Sequence, residues 1–338
     1  MKLSFHRPQR GARGLAVALV GALALALAAC SGSGTPAPAG SAAPGGTTAP
    51  AEVTKITVGL IPIVDTGAFR LGVSKDFFKD KGLDVTVQDA QGGAAIVPAV
   101  MSGSNQVGFS NLSSLIVAKE RNLPVKLIAA GVATTGDTSN DFGGILAKGD
   151  SGITSAKDLA GKTVAVNTLK NIGDTTVRHA VEAAGGDPSA VNFVEMPFPD
   201  MAGQLAGGNV DAAWAVEPYT SIMKGQGATV IDYNLAGFDK NLQIGGFFVS
   251  EQYAASNPNV VTAFKDGLKQ SNEYATANPE ELRTFLSTYT KIAPEVQKVV
   301  VMPKWPTSID EAALQKLADE GQKYGMTTGK VDVKGLLG

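Results

Sequence analysis

Cysteine occurs once in the 338 residues, at position 30, so no internal disulfide can staple the chain and no cysteine-rich metal pattern exists. Histidine is almost as scarce, with His6 and His179 alone. No His/Cys/carboxylate cluster therefore has metal-ligand spacing, and His179, beside Arg178 and Glu182 in a helical stretch, reads as a packing or surface residue. The glycine loops that cradle phosphates are missing as well: there is no Gly-x-x-x-x-Gly-Lys-Ser/Thr, and no Gly-x-Gly-x-x-Gly runs from a strand into a helix. Acids such as Glu195 and Asp200 read as solvated loop residues rather than a catalytic pair. Charge of one sign is lacking too, since 29 basic residues face 31 acidic ones for a net charge of −2, which leaves no footprint for nucleic acid. These absences exclude most catalytic chemistry, and neither an enzyme nor a resident cofactor or metal is expected.

What is present begins with a leader. Lys2, Arg7, Arg10 and Arg13 precede an apolar run over residues 15–29 without an acid, the order of a secretory signal and too short for a comfortable membrane span. Leu27-Ala28-Ala29-Cys30 resembles the bacterial lipobox, in which the cysteine thiol is acylated and the preceding peptide removed. Residues 1–29 are thus expected to be a lipoprotein signal peptide and Cys30 the lipidated first residue, held by acyl chains at about 0.8 kcal/mol per buried methylene. Residues 30–52 are nearly all Ser, Gly, Thr, Pro and Ala. Such a segment cannot bury enough apolar surface to offset its ordering entropy, so a flexible tether is expected.

About 285 residues follow, more than one core normally takes, which predicts two lobes. Short runs rich in Val, Ile and Leu at 56–61, 83–87, 106–110 and 125–130 read as buried parallel strands, with helices around 68–79, 94–101 and 112–121 between them. A second unit repeats the alternation, with strands at 163–166, 191–195, 212–216 and 229–232 and helices at 174–184 and 201–206. Ser155 is placed to cap a one-turn helix closed by Gly161. Beyond residue 249 the chain reads as mostly helical, and Asn257-Pro258 and Asn278-Pro279 mark helix starts. Residues 100–109 resemble residues 204–214: each is a helix end, a glycine turn and a strand that runs to a polar loop. A pair of similar lobes follows.

Polar loops recur at the C-terminal ends of the predicted strands, where open parallel sheets bind ligands. They are residues 62–69, 110–114, 167–176 and 216–219. Three of the four lead into a helix, whose free N–H groups favour an anionic group. Thr66, Ser110 or Asn111, and Asp174 or Thr175 are the candidate caps.

In this order, residues 75–85, Gly108-Phe109-Ser110-Asn111, residues 153–166, Asn167-Thr168-Leu169, Asp211-Ala212-Ala213-Trp214 and Glu217-Pro218-Tyr219 resemble one known family. It comprises the substrate-binding lipoproteins of ABC importers of the nitrate/sulfonate/taurine type, with their thiamine-pyrimidine relatives. The resemblance implies an α/β, two-lobed periplasmic-binding-protein type II fold, each lobe an open, mostly parallel sheet flanked by helices. Residues 53–142 and 246–338 are then lobe 1 and residues 143–245 lobe 2, with Gly143, Gly144, Gly245 and Gly246 as hinge crossovers. The implied function is extracytoplasmic, at a bacterial membrane: a small organic anion or zwitterion, sulfonate- or taurine-like, is bound between the lobes and delivered to an ABC permease and its ATPase. A pyrimidine-precursor receptor is the alternative; an anchored sensor or a pyrimidine-synthase-like enzyme is the more distant one. A monomer is expected. Cleft contacts are expected from Phe69, Ser110, Asn111, Asn171, Thr175, Trp214, Glu217 and Tyr219, with Trp214 and Phe109 equally readable as core. Arg70 stands where relatives more often carry an aromatic and offers a guanidinium fork to a sulfonate or carboxylate. Glu217 would repel nitrate but hold the ammonium of taurine or the amine of a pyrimidine.

Overall fold

The protein is described by a computed structural model that covers residues 53–337. The expected signal peptide, the expected lipidation site Cys30 and the expected tether lie outside the described residues. Among the described residues, ten strands form two five-stranded sheets. The first sheet holds β1 (Thr54–Leu60), β2 (Leu83–Asp89), β3 (Val107–Asn111), β4 (Val125–Ala133) and, from much later in the chain, β10 (Gln243–Ser250); the second holds β5 (Gly143–Lys148), β6 (Thr163–Val166), β7 (Asn192–Glu195), β8 (Ala212–Val216) and β9 (Ala228–Asp232). Their orders are β2-β1-β3-β10-β4 and β7-β6-β8-β5-β9. In each sheet β10 or β5 alone runs antiparallel to its neighbours. The fold is the two-lobed periplasmic-binding type that the sequence implies.

The two sheets share more than their order. Gln106 and Asp211 occupy the same place, just before β3 and β8, the corresponding strands of the two units. Gln106 Oε1 accepts the Thr57 N–H at 2.8 Å and Asp211 Oδ2 accepts the Thr163 N–H at 2.7 Å, while the Gln106 and Asp211 N–H groups donate to the Thr57 and Thr163 carbonyls, both at 2.9 Å. One device thus sets strand register in both units, as expected of a duplicated motif.

Helices cover both sheets. In the first two units they are α1 (Gly67–Ser74), α2 (Gly93–Met101), α3 (Leu112–Glu120), α4 (Ile172–Ala183), α5 (Phe198–Ala206), α6 (Tyr219–Gly225) and α7 (Asn234–Phe238). The tail adds α8 (Glu251–Ser256), α9 (Pro258–Ala277), α10 (Pro279–Phe285), α11 (Ser287–Thr290), α12 (Pro294–Val299), α13 (Glu311–Lys323) and α14 (Lys334–Leu337). Asn111 caps α3 by accepting the Ser114 N–H at 2.9 Å, and Ser155 forms a capping box with Asp158. No helix among the described residues is long and apolar enough to cross a membrane.

The four expected hinge glycines lie inside paired strands. Gly143 and Gly144 pair with Val216 and Ala215 in β5, and Gly245 and Gly246 pair with Asn111 and Ser110 in β10. None has positive φ, so conformational freedom is not why glycine is there. A Cβ on Gly245 would fall 2.5 Å from Phe109 Cζ, and one on Gly143 would fall 2.5 Å from Leu235 Cδ1. Glycine is present because neighbouring side chains occupy the space. The chain passes between the sheets at residues 134–142 and 233–242 instead, where the Thr134 N–H donates to the Leu242 carbonyl at 3.0 Å. The buried Asp141 carboxylate organises the first crossover, accepting from Thr134 Oγ1 and from the Thr135 and Phe142 N–H groups.

Overpacking at such a site costs about 1–3 kcal/mol. Gly245→Ala should lower the urea midpoint accordingly, whereas Gly203→Ala, at an exposed position inside α5 with nothing within 4 Å of the added methyl, should raise stability by about 0.5–1 kcal/mol. An unchanged midpoint for Gly245→Ala would contradict the packing role.

Candidate ligand-binding cavity between the sheets

The C-terminal ends of β1, β3, β6 and β8 converge on a small cavity of about 20 Å³ between the two sheets. Ile61, Ile63, Asp65, Phe109 and Asn111 line it from the first unit, Asn167, Ile172, Phe198, Trp214 and Val216 from the second, and Ile244 and Gly245 from β10. Its size corresponds to about one water, so the two walls are closed on each other. Hydrogen bonds cross the interface beside it. Asn171 Nδ2 donates to Ser114 Oγ at 2.9 Å, and the Val64 N–H donates to the Glu217 carbonyl at 3.1 Å.

The cavity is apolar and aromatic with few polar groups. Three of those polar atoms are buried and unpartnered among the described residues: Asp65 Oδ1, Asn167 Oδ1 and Trp214 Nε1. Buried polar atoms without partners are rare in folded proteins. Asp65 is the only ionisable side chain in the lining, and burial, assisted by the charge of Asp141 and opposed by a backbone hydrogen bond, pushes its carboxyl up to about 7. No Lys, Arg or His faces it there.

The residues expected from sequence divide sharply. Asn111 and Trp214 line the cavity. Asn171 sits beside it as the cap of α4, its Oδ1 accepting the Ile172 N–H at 2.9 Å, with Asp174 completing the capping box. Tyr219 supports the wall from behind, stacked on Phe198 with ring centroids 5.6 Å apart. The others have different work. Phe69 is in the core of the first unit, 4.7 Å from Phe78 and 5.0 Å from Phe247 between centroids, because α1 turns that face toward the sheet. Arg70 is engaged elsewhere: its guanidinium pairs with Asp89, its Nε donates to Thr66 Oγ1 at 3.0 Å, and it lies 4.5 Å from the Tyr289 ring centroid. Ser110 is fully buried and donates to the Asn111 carbonyl; Thr175 is buried against Met326. Glu217 accepts from Ser221 Oγ at 2.7 Å, the Ser221 N–H at 3.1 Å and the Val301 N–H at 3.2 Å. Its carboxylate thus ties α6 to the C-terminal tail, and burial raises its pKa despite those bonds.

Asp65, Asn167 and Phe198 line the cavity but are not among the cleft contacts expected from the sequence. Asp65 and Asn167 do fall within the loops that strand ends predict, and Asp65 carries one retrospective signal, an acid in the otherwise apolar stretch Ile61-Pro62-Ile63-Val64. Among the described residues no three His, Cys, Asp or Glu side chains gather as a metal site.

A family model described as NMT1/THI5 like matches residues 65–282. The chain belongs to this family. Curated relatives include a formylaminopyrimidine-binding protein of Halalkalibacterium halodurans, 23% identical over 64% of this chain and 64% of that protein, and a taurine-binding periplasmic protein of Escherichia coli, 25% identical over 60% and 61%. The chain therefore spans less than two thirds of these relatives' length. Among solved structures, the alkanesulfonate-binding protein of Xanthomonas axonopodis pv. citri bound to MOPS superposes with a TM-score of 0.71 at 16% identity, over 83% of this chain and 96% of that one. That likeness establishes the fold.

Asp65 makes this NMT1/THI5-like protein sensitive to pH in a defined direction. Its carboxyl is about 7 in the folded state against 3.8 ordinarily, so the native state holds the proton longer than the unfolded chain. Its contribution to stability is therefore complete below about pH 4 and falls by at most about 1.4 kcal/mol per unit as pH rises toward 7. Asp65→Asn should gain stability relative to the parent chain across that window and keep a constant difference above it, read from urea unfolding at each pH. A difference that stays flat from pH 4 to 8 would refute a buried, protonated Asp65.

Proposed function

We propose that the protein is the extracytoplasmic solute receptor of an ABC importer, that it acts by binding rather than catalysis, and that its ligand is a small, flat heterocycle bearing an amino group. The observation that carries the ligand class is Asp65, a buried carboxylate with a free oxygen in an aromatic cavity that offers no basic side chain. Together with Asn167 Oδ1 it presents acceptors, and Trp214 Nε1 presents a donor. An amino-substituted pyrimidine offers the complement: an amino group that donates, a ring nitrogen that accepts, and a flat body for Phe109, Phe198 and Trp214. The family's formylaminopyrimidine-binding relative agrees in ligand type.

In this reading Cys30 carries the lipid, residues 30–52 are the tether, and residues 53–142 with 246–338 face residues 143–245 across the cleft. The crossovers at 134–142 and 233–242 are the hinge, and a permease with its ATPase receives the closed form. A zwitterionic aminosulfonate is the second reading. The starts of α3 and α4, capped by Asn111 and Asn171 beside the cavity, suit its anionic end, and Asp65 suits its ammonium.

Melting scans with 4-aminopyrimidines, taurine and ethanesulfonate separate these. A ligand at a hundred times its Kd adds about 2.7 kcal/mol of stability. We expect that shift for the aminopyrimidines and none for ethanesulfonate, with Asp65→Asn weakening the aminopyrimidine about tenfold to a hundredfold. Ethanesulfonate binding as well as taurine, with no aminopyrimidine shift, would overturn the assignment to Asp65.

A further inference from the structure

A second, larger concavity lies where the two crossovers meet the C-terminal tail. Its volume is about 530 Å³, within the range of small-molecule sites. It shares no residue with the inter-sheet cavity, although β10 links the two: Gln243 lines the groove, while Ile244 and Gly245 line the cavity. Ala275, Met302, Pro303 and Pro306 supply apolar walls. Trp305 is only 7% exposed, and its indole Nε1 has no acceptor among the described residues.

The charged groups of the lining are Lys240, Lys304 and Asp310. Asp310 is already committed. Its carboxylate caps α13 by accepting the Ala313 N–H at 3.0 Å, and its own N–H donates to Gln243 Oε1 at 3.0 Å. Gln243 is satisfied at its other end by the Ser308 carbonyl, at 2.7 Å. Lys240 and Lys304 are exposed and enter no ion pair among the described residues. The groove thus combines two uncompensated ammonium groups, a buried N–H donor without an acceptor and an apolar floor.

We propose that this groove is a second ligand site, and that it takes a small organic carboxylate with an apolar body. The carboxylate sits in the field of Lys240 and Lys304, while the hydrocarbon covers Met302, the prolines and the edge of the Trp305 ring, so that the indole signal reports its arrival. A neutral molecule of the same shape gains nothing from the lysines; a cation is repelled.

The chain has two tryptophans, Trp214 in the cavity and Trp305 in the groove, so their indole N–H signals in ¹H–¹⁵N NMR report the two sites separately in the unaltered protein. Trp305→Phe assigns the signals. Titration with hexanoate should move the Trp305 signal saturably and leave that of Trp214 in place. Hexanol and hexylamine should act at least about fivefold more weakly, and Lys240→Gln/Lys304→Gln should weaken hexanoate about fivefold without altering the hexanol response. No saturable movement at Trp305, an equal response to hexanol, movement at Trp214 instead, or a hexanoate response indifferent to the two lysines would each overturn the proposal.

Discussion

The hydrogen bonding of β10 between β3 and β4 constrains everything else in the molecule, because it brings residues 243–250 back into a sheet that the first eighty residues of the fold had otherwise completed. The chain must therefore leave the first sheet after β4, build the second, and return through a second crossover beside the first. Two neighbouring strands of chain, rather than one, then connect the sheets. A double connection resists twisting and shear far better than a single linker while leaving rotation about the pair open. The Thr134 to Leu242 hydrogen bond ties the two crossovers together, and the Asp141 carboxylate braces the first from within.

That return also sets where the polar loops meet. Because β1, β3, β6 and β8 all end on the same side of the interface, their following residues face one another, and the lining of the cavity comes from both sheets and from β10. The tail does more than complete a sheet. Its α13 faces α4, with His179 against Glu320 at 3.3 Å and Glu182 against Lys323 at 2.5 Å, while Val301 reaches Glu217. The two ion pairs are partly exposed, so water competes and each adds little, whereas the Glu217 carboxylate is buried and its bond to the tail is shielded from water.

Much of this architecture is legible in the sequence, for a physical reason: buried parallel strands are short apolar runs, and the glycine turns and caps around them are local signals. Residues 163–166 and 212–216 coincide with β6 and β8. What escapes is what depends on partners. The segments containing Gly143-Gly144 and Gly245-Gly246 look like flexible joints, yet they lie in the antiparallel strands β5 and β10, where their glycines answer to Leu235 and Phe109, which are remote in sequence. Phe69 and Arg70 lie away from the inter-sheet cavity for the same reason: nothing local announces Phe247 or Asp89. The loops that form the site are readable from topology; which side chains within them turn inward is decided by packing from the other sheet.

In the receptor we propose, Asp65 is where such packing would become function. A carboxylate closed into an apolar cavity loses its hydration, and the loss opposes closure whenever the group is charged. A bound amine or amidine reverses that sign, because the same low dielectric that penalises a lone charge strengthens a hydrogen-bonded pair. Closure around such a ligand is favoured relative to closure without one, by the difference between an orphaned and a paired carboxyl. On the proposed reading, occupancy would thereby be coupled to the angle between the sheets through one side chain, and a permease that reads the closed outer surface would read the state of Asp65.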